Sequence, residues 1–166
     1  PLGQYVFRHP LVRTAVVHQA SLQERRAAHR DLAGLYPDVL FRRATHLAAA
    51  ATEPDQDVAD LLDEAAHLSL RLGGIPAAIE WLRDAAALST DPKRRSATLA
   101  EAVFVTIRAG RIREARELLA NTEADATQFA LTALADCYQA IHADGEVLST
   151  HRRLLEALTS VDALDE

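Results

Sequence analysis

The sequence predicts an all-α fold of stacked antiparallel helix hairpins, and three observations support this prediction. Apolar residues make up 49% of the chain but aromatic residues only 5%, so alanine and leucine, which favour helices, supply most of the apolar side chains. Glycines and prolines occur where helices would end and begin. Residues 72–82 (LGGIPAAIEWL) and 109–119 (AGRIREARELL) repeat one pattern 37 positions apart, a spacing typical of helical solenoids.

The first 50 residues predict one short strand and three helices. Residues 4–8 (QYVFR) alternate in the manner of a short strand. Ser21 and Glu24 have the spacing of a capping box, in which each side chain accepts a hydrogen bond from the other residue's backbone N–H. The three helices are expected from Pro10 to about Gln19, from Ser21 to about Leu35, and from Pro37 to about Ala50.

Six further helices bring the expected number to about nine and leave few residues for loops. Each internal proline can occupy the first turn of a helix, where its missing N–H costs nothing. Gly73, Gly110 and Gly145 each follow a helical run, as residues that end helices do. These helices are expected from the start signal Thr52–Asp55 to Gly73, from Pro76 to about Leu88, from Asp91 to Gly110, and over about 111–121, 125–142 and 146–159.

The repeated pattern places a glycine at the turn and small or apolar residues at fixed distances after it. The first unit has Gly73, Ala78, Leu82 and Ala85, and the second has Gly110, Ala115, Leu119 and Thr122. This arrangement resembles the tetratricopeptide repeat, in a degenerate and lengthened form. The resemblance implies hairpins whose first helices line a concave groove.

Transfer of that register to this chain predicts a groove for a ligand or a partner. Mixed charge beside an aromatic ring suits a peptide or a small polar ligand. The alternative is that Phe104 and Ile107 are core residues between repeats. The predicted groove residues are Asp60, Asp63, His67, Arg71, Phe104, Ile107 and Arg108.

Several kinds of site have no signature in this sequence. Cys137 is the only cysteine, so neither an internal disulfide nor a cysteine metal cluster is possible. The seven histidines include no i,i+4 pair, and no catalytic triad is recognisable, so we expect neither a metal site nor catalytic residues. The longest wholly apolar run is far shorter than the roughly 20 residues that span a bilayer. The sequence therefore predicts a cytoplasmic chain without membrane contact.

The N-terminal region of the chain contains three short sequence motifs, at residues 7–16 (FRHPLVRTAV), 24–33 (ERRAAHRDLA) and 46–50 (HLAAA). Together they resemble a segment of large ATP-binding regulators of the LuxR family from actinobacteria. The resemblance implies that residues 1–50 end an ATPase-associated winged-helix module and that residues 51–166 begin its tetratricopeptide-like repeats. It also implies a fragment without cofactor, since the ATP-binding and DNA-binding parts would lie outside it.

Charge is divided along the chain. Residues 1–47 hold seven arginines against three acidic residues, a net +4, whereas residues 48–166 carry a net −10. The basic group can dock on an acidic face of the ATPase module, contact DNA, or simply be solvated. Its members are Arg25, Arg26, Arg30, Arg42 and Arg43. His9, just before the first helix, can lie near the nucleotide or cap the helix.

The sequence as a whole predicts a non-catalytic sensor or interaction segment of such a regulator. It would couple a protein or small-molecule effector to the ATPase and DNA-binding domains, without touching nucleic acid itself. The alternative is a stand-alone tetratricopeptide-like adaptor. A homodimer is also predicted, through an apolar face of the last helix formed by Val147, Leu148, Leu154, Leu155 and Leu158.

Overall fold

The chain folds into helices, which confirms the predicted all-α class. The computed structural model describes residues 9–120, 126–140, 151–152 and 155–156, with the backbone alone for 126–130. Within these ranges there are eight helices and no strands. They are α1 (Pro10–Gln19), α2 (Leu22–Leu35), α3 (Leu40–Ala50), α4 (Gln56–Arg71), α5 (Ile75–Leu88), α6 (Pro92–Arg108), α7 (Ile112–Leu119) and α8 (Ala126–Gln139).

The chain divides into two compact units after Thr52. In the first unit α2 packs against α3, where Ala33 and Ala44 are buried, while α1 buries none of its residues. The capping box of α2 is present: the Ser21 backbone N–H donates to Glu24 Oε2 at 2.8 Å, and the Glu24 N–H donates to Ser21 Oγ at 3.2 Å. That the first unit ends a winged-helix module stays a prediction.

In the second unit each helix packs against the next one in the sequence. Helix α4 packs on α5, α5 on α6, α6 on α7, and α8 against both α6 and α7. Ala78 and Ala85 of the repeated pattern are buried, as is Ala66 of α4, and small side chains let neighbouring helices approach closely. The largest fully buried side chains of this unit are Leu62, Ile79, Leu82, Val103, Thr106, Ile107 and Cys137.

Local signals set the ends of the helices that form the candidate site. The Asp55 carboxylate accepts hydrogen bonds from the N–H groups of Asp57 and Val58 and so caps α4, and Asp91 accepts from Lys93 N–H and caps α6. Gly73 (φ +81°) and Gly110 (φ +74°) end the same two helices in the left-handed region, which glycine enters without a side-chain penalty.

The structure corrects the predicted helix starts at two prolines. Helix α3 begins at Leu40 and α4 at Gln56, so Pro37 and Pro54 lie before the first turns of these helices. The residue before α3, Val39, makes no side-chain cap. The predicted strand at residues 4–8 lies outside the described residues. The same holds for most of the predicted ninth helix, of which His151, Arg152, Leu155 and Glu156 are described as helical.

Candidate functional site

A cleft of about 200 Å³ opens between α4 and α6, with the end of α5 at its base. It spans two consecutive hairpins of the second unit. Charged and polar side chains form its walls, and three alanines supply its small apolar surfaces. Its lining comprises Gln56, Ala59, Asp60, Asp63, His67, Ala85, Ser89, Arg94, Ala97, Thr98 and Glu101.

Helical periodicity explains why α4 presents its polar side chains to this cleft. Asp60, Asp63 and His67 are spaced by three and four residues and therefore share one face of the helix. The opposite stripe of α4, which includes Leu62 and Ala66, is buried in the core. Burial of that apolar stripe fixes the rotation of the helix and leaves the acidic stripe at the surface.

At one end of the cleft, His67 joins the two hairpins. Its Nε2 lies 3.1 Å from Glu101 Oε1, and its Nδ1 lies 2.8 Å from the Asp63 carbonyl oxygen and 3.5 Å from Asp63 Oδ2. The side chains of all three residues are between 35% and 41% exposed. The cluster is thus reachable from solvent.

These contacts raise the pKa of His67 above its ordinary value. The hydrogen bond to the Asp63 carbonyl is the largest cause, and the carboxylates of Asp63 and Glu101 act in the same direction. Partial burial and the nearby Arg71 oppose the rise. The site therefore favours the protonated, positively charged form of the imidazole ring.

At the other end of the cleft, Gln56 ties α4 to the segment before α6. Its Oε1 accepts hydrogen bonds from Ser89 Oγ at 3.2 Å and from the Thr90 N–H at 3.0 Å. Its Nε2 donates to Asp60 Oδ1 at 2.7 Å. Arg94 Nη2 lies 2.9 Å from the same carboxylate oxygen. Four side chains are therefore oriented by one another before any ligand arrives.

Three of the seven predicted groove residues, Asp60, Asp63 and His67, line this cleft. Arg71 follows His67 by one turn and is exposed beyond the lining. Phe104 and Arg108 continue the helical stripe of Glu101 past the cleft; Phe104 is 42% exposed, with the Arg108 guanidinium 5.7 Å from its ring centroid.

The expectation that Ile107 lines the groove is wrong. Ile107 is 1% exposed and belongs to the core cluster with Val103 and Leu119. It lies on the buried stripe of α6, which a ligand in the cleft does not reach.

Arg94 and Glu101 complete the cleft and were not predicted from the sequence. Each follows its partner on α4, Asp60 or His67, by 34 residues, but this spacing indicates a contact only once the packing of α4 and α6 is known. The 37-residue shift of the repeat pairs equivalent positions of successive helices. A shift of 34 is three residues shorter, so it keeps the same helix face and moves the contact by about one turn.

The predicted basic group lies in the first unit, on α2 and α3. Arg25, Arg30, Arg42 and Arg43 are exposed and Arg26 is half-buried. The Arg42 guanidinium lies 4.7 Å from the centroid of the Tyr36 ring. In the described part of the chain, none of these five arginines forms an ion pair.

His9 occupies the N-cap of α1. Its Nδ1 accepts a hydrogen bond from the Leu11 N–H at 3.2 Å. His9 therefore caps the helix, which is one of its two predicted roles. The other role, a position near a nucleotide, stays a prediction.

Three donor atoms at the His67 end are close enough to share one ion. One ligand atom from each of Asp63, His67 and Glu101 lies within 4.8 Å of the others.

Among the described helices, none combines the length and the apolar character needed to cross a bilayer. Comparisons of the chain with family models, curated proteins and solved structures give no match.

Proposed function

We propose that this chain is a non-catalytic binding module whose α4–α6 cleft receives a polypeptide segment of a partner. One observation carries the proposal: an open cleft that spans two hairpins and is lined by oriented charged side chains. Ala59, Ala85 and Ala97 lie among these charges, and their small side chains leave room for a peptide backbone. A few fixed polar groups on an apolar surface are typical of binding sites.

The charge of the cleft indicates what the segment carries. Asp60, Asp63 and Glu101 contribute three carboxylates, against which Arg94 offers one fixed positive charge. Arg94 is already paired with Asp60, so the excess negative charge is at the Asp63 and Glu101 end, where two carboxylates flank the single imidazole of His67. A lysine or arginine of the partner segment would complement it.

Selection of displayed random peptides against the whole chain, in buffer with EDTA, tests this proposal. We expect the bound peptides to share a basic residue. Asp63→Asn and Glu101→Gln should each weaken their binding about tenfold or more, the value of one charge-assisted hydrogen bond. Glu80→Gln is the matched control, because Glu80 is an exposed carboxylate of α5 outside the cleft. Equal binding by all three variants would exclude the cleft as the peptide site.

We further propose that the module belongs to a regulator of the LuxR type and couples effector binding to ATPase and DNA-binding domains elsewhere in that protein. The ordered phrases at residues 7–16, 24–33 and 46–50 support this. The unpaired basic group of the first unit would dock on an acidic face of the ATPase module. The full reading frame of the gene tests the proposal. A P-loop motif upstream and a helix-turn-helix downstream are expected, and a frame without either would favour a stand-alone adaptor.

A further inference from the structure

The hydrogen-bonding pattern of His67 leaves two electron-rich atoms facing each other. The Asp63 carbonyl oxygen can only accept, so His67 Nδ1, 2.8 Å away, must donate to it. In the neutral ring the proton is then on Nδ1, and Nε2 carries a lone pair. Nε2 lies 3.1 Å from a carboxylate oxygen of Glu101. This contact is favourable only with a positive centre between the helices, either a second ring proton or a metal ion.

The geometry of these donors fits a metal ion. A zinc ion holds nitrogen and oxygen ligands at about 2.0–2.2 Å, which places two ligands about 3.3–3.6 Å apart at the tetrahedral angle and about 2.8–3.1 Å apart at a right angle. His67 Nε2 and Glu101 Oε1 are 3.1 Å apart, which matches the right-angle separation and is slightly shorter than the tetrahedral one. Asp63 precedes His67 by four residues, the spacing at which one helix offers two ligands to one ion, and its ligand atom is within 4.8 Å of the other donors. Two ligands of one zinc ion are at most about 4.4 Å apart, so the Asp63 side chain would move toward the ion as it binds.

The surroundings also suit a ligating histidine. In protein metal sites the ligating imidazole donates its second N–H to a carbonyl or carboxylate, which fixes the ring and its tautomer. The Asp63 carbonyl already performs this role for His67. The partial exposure of all three side chains leaves a route for the ion and open positions for water.

We propose that Asp63, His67 and Glu101 form a binding site for a divalent transition-metal ion of the zinc class, which clamps α4 to α6. The site goes beyond the peptide-binding function and does not depend on it, but it shares Asp63 and Glu101 with the peptide site, so an ion and a basic residue would compete for these carboxylates. The proposal departs from the sequence-based expectation of no metal site, which rested on the spacing of histidines and cysteines, whereas this site combines one histidine with carboxylates from two helices.

Calorimetric titration of the whole chain with Zn²⁺, in a non-chelating buffer and without peptide, tests the proposal. We expect saturable binding of one ion at this site. Since loss of a partner that only orients a ligand already costs 10–100-fold in affinity, His67→Ala and Glu101→Gln should each lower it by about tenfold or more. Co²⁺ bound in place of zinc should show visible absorption bands that both variants lose.

The chain contains a competing pair of histidines that serves as the control. His29 Nδ1 and His46 Nδ1 lie 3.1 Å apart in the first unit, so His46→Gln should leave this binding unchanged. Circular dichroism shows whether each variant is folded. Glu101→Gln, a change of similar shape at a half-buried surface position, keeps the test valid if His67→Ala unfolds. Loss of binding in His46→Gln alone, or no saturable binding by the wild-type chain, would overturn the proposal. A failure here would leave the peptide selection unaffected, because that selection contains EDTA.

Discussion

Replacement of Gly74 by alanine sets a new methyl group against the hydroxyl of Ser69. An added Cβ at Gly74 would lie under 3.0 Å from Ser69 Oγ, whereas the Gly74 φ of −81° suits any residue. Ser69 is 6% exposed, and its Oγ donates to the Gly74 carbonyl at 2.8 Å. To make room, the hydroxyl must rotate away and lose this bond. A buried hydroxyl left without its partner costs about 1–3 kcal/mol, so we expect Gly74→Ala to lower the free energy of unfolding by that amount.

The Ser69→Ala background isolates this steric cause. Without the hydroxyl, the nearest atoms to the added Cβ are the backbone oxygen and the Cβ of residue 69, at 3.4 and 3.7 Å, which are ordinary contacts. The cost of the alanine at 74 should then fall to about zero or become a small gain. Gly73→Ala is the matched control: no atom lies within 4 Å of its added Cβ, but its φ of +81° is unfavourable for alanine. That change should cost about 1–2 kcal/mol in both backgrounds. Urea unfolding followed by circular dichroism measures all six chains. An equal cost for Gly74→Ala in both backgrounds would refute the reasoning.

Three further predictions concern the core, a helix cap and a histidine pair. Leu82 is fully buried, so Leu82→Ala should lower the free energy of unfolding in urea by about 2–5 kcal/mol. Leu72→Ala, at a residue that is 69% exposed, should lower it by about 0.5 kcal/mol or less. Similar losses for the two variants would contradict the described core. Ser21→Ala should cost about 0.5–2 kcal/mol and should reduce helicity by circular dichroism; an unchanged unfolding midpoint would contradict the cap. Burial, and then the neighbouring His29, lower the pKa of His46; the unfolded chain therefore binds this proton more readily, and stability should fall as the pH drops below about 6.5. In His46→Gln the slope of the unfolding free energy with pH should be smaller, and an identical slope would reject this cause.

The helix boundaries could be predicted because their causes are local. The Ser21 capping box, the start of α6 at Asp91 and the glycine at 73 each act within a few residues, and the structure contains all three. The predicted start of α3 at Pro37 was wrong, because a proline is compatible with the first turn of a helix but does not cause a helix to begin there. Helix ends that depend on local sequence patterns can therefore be predicted well from the sequence.

The cleft could be predicted only in part, because it depends on how separate helices pack. The acidic stripe of α4 was visible from its own periodicity. Its partner Glu101 was not, since contact with His67 depends on the rotation and offset of α6. The assignment of Ile107 to the groove failed for the same reason. Ile107 lies next to the cleft-facing stripe of α6, and its apolar side chain is buried in the core.

Hydrogen–deuterium exchange of the chain, with and without a selected basic peptide, shows whether the α4–α6 cleft is the binding surface. We expect the peptide to increase the protection of backbone amides in Gln56–Arg71 and in the first half of Pro92–Arg108, and to leave residues 10–50 unchanged. Protection confined to residues 10–50, or absent from both α4 and α6, would rule out this cleft as the binding surface.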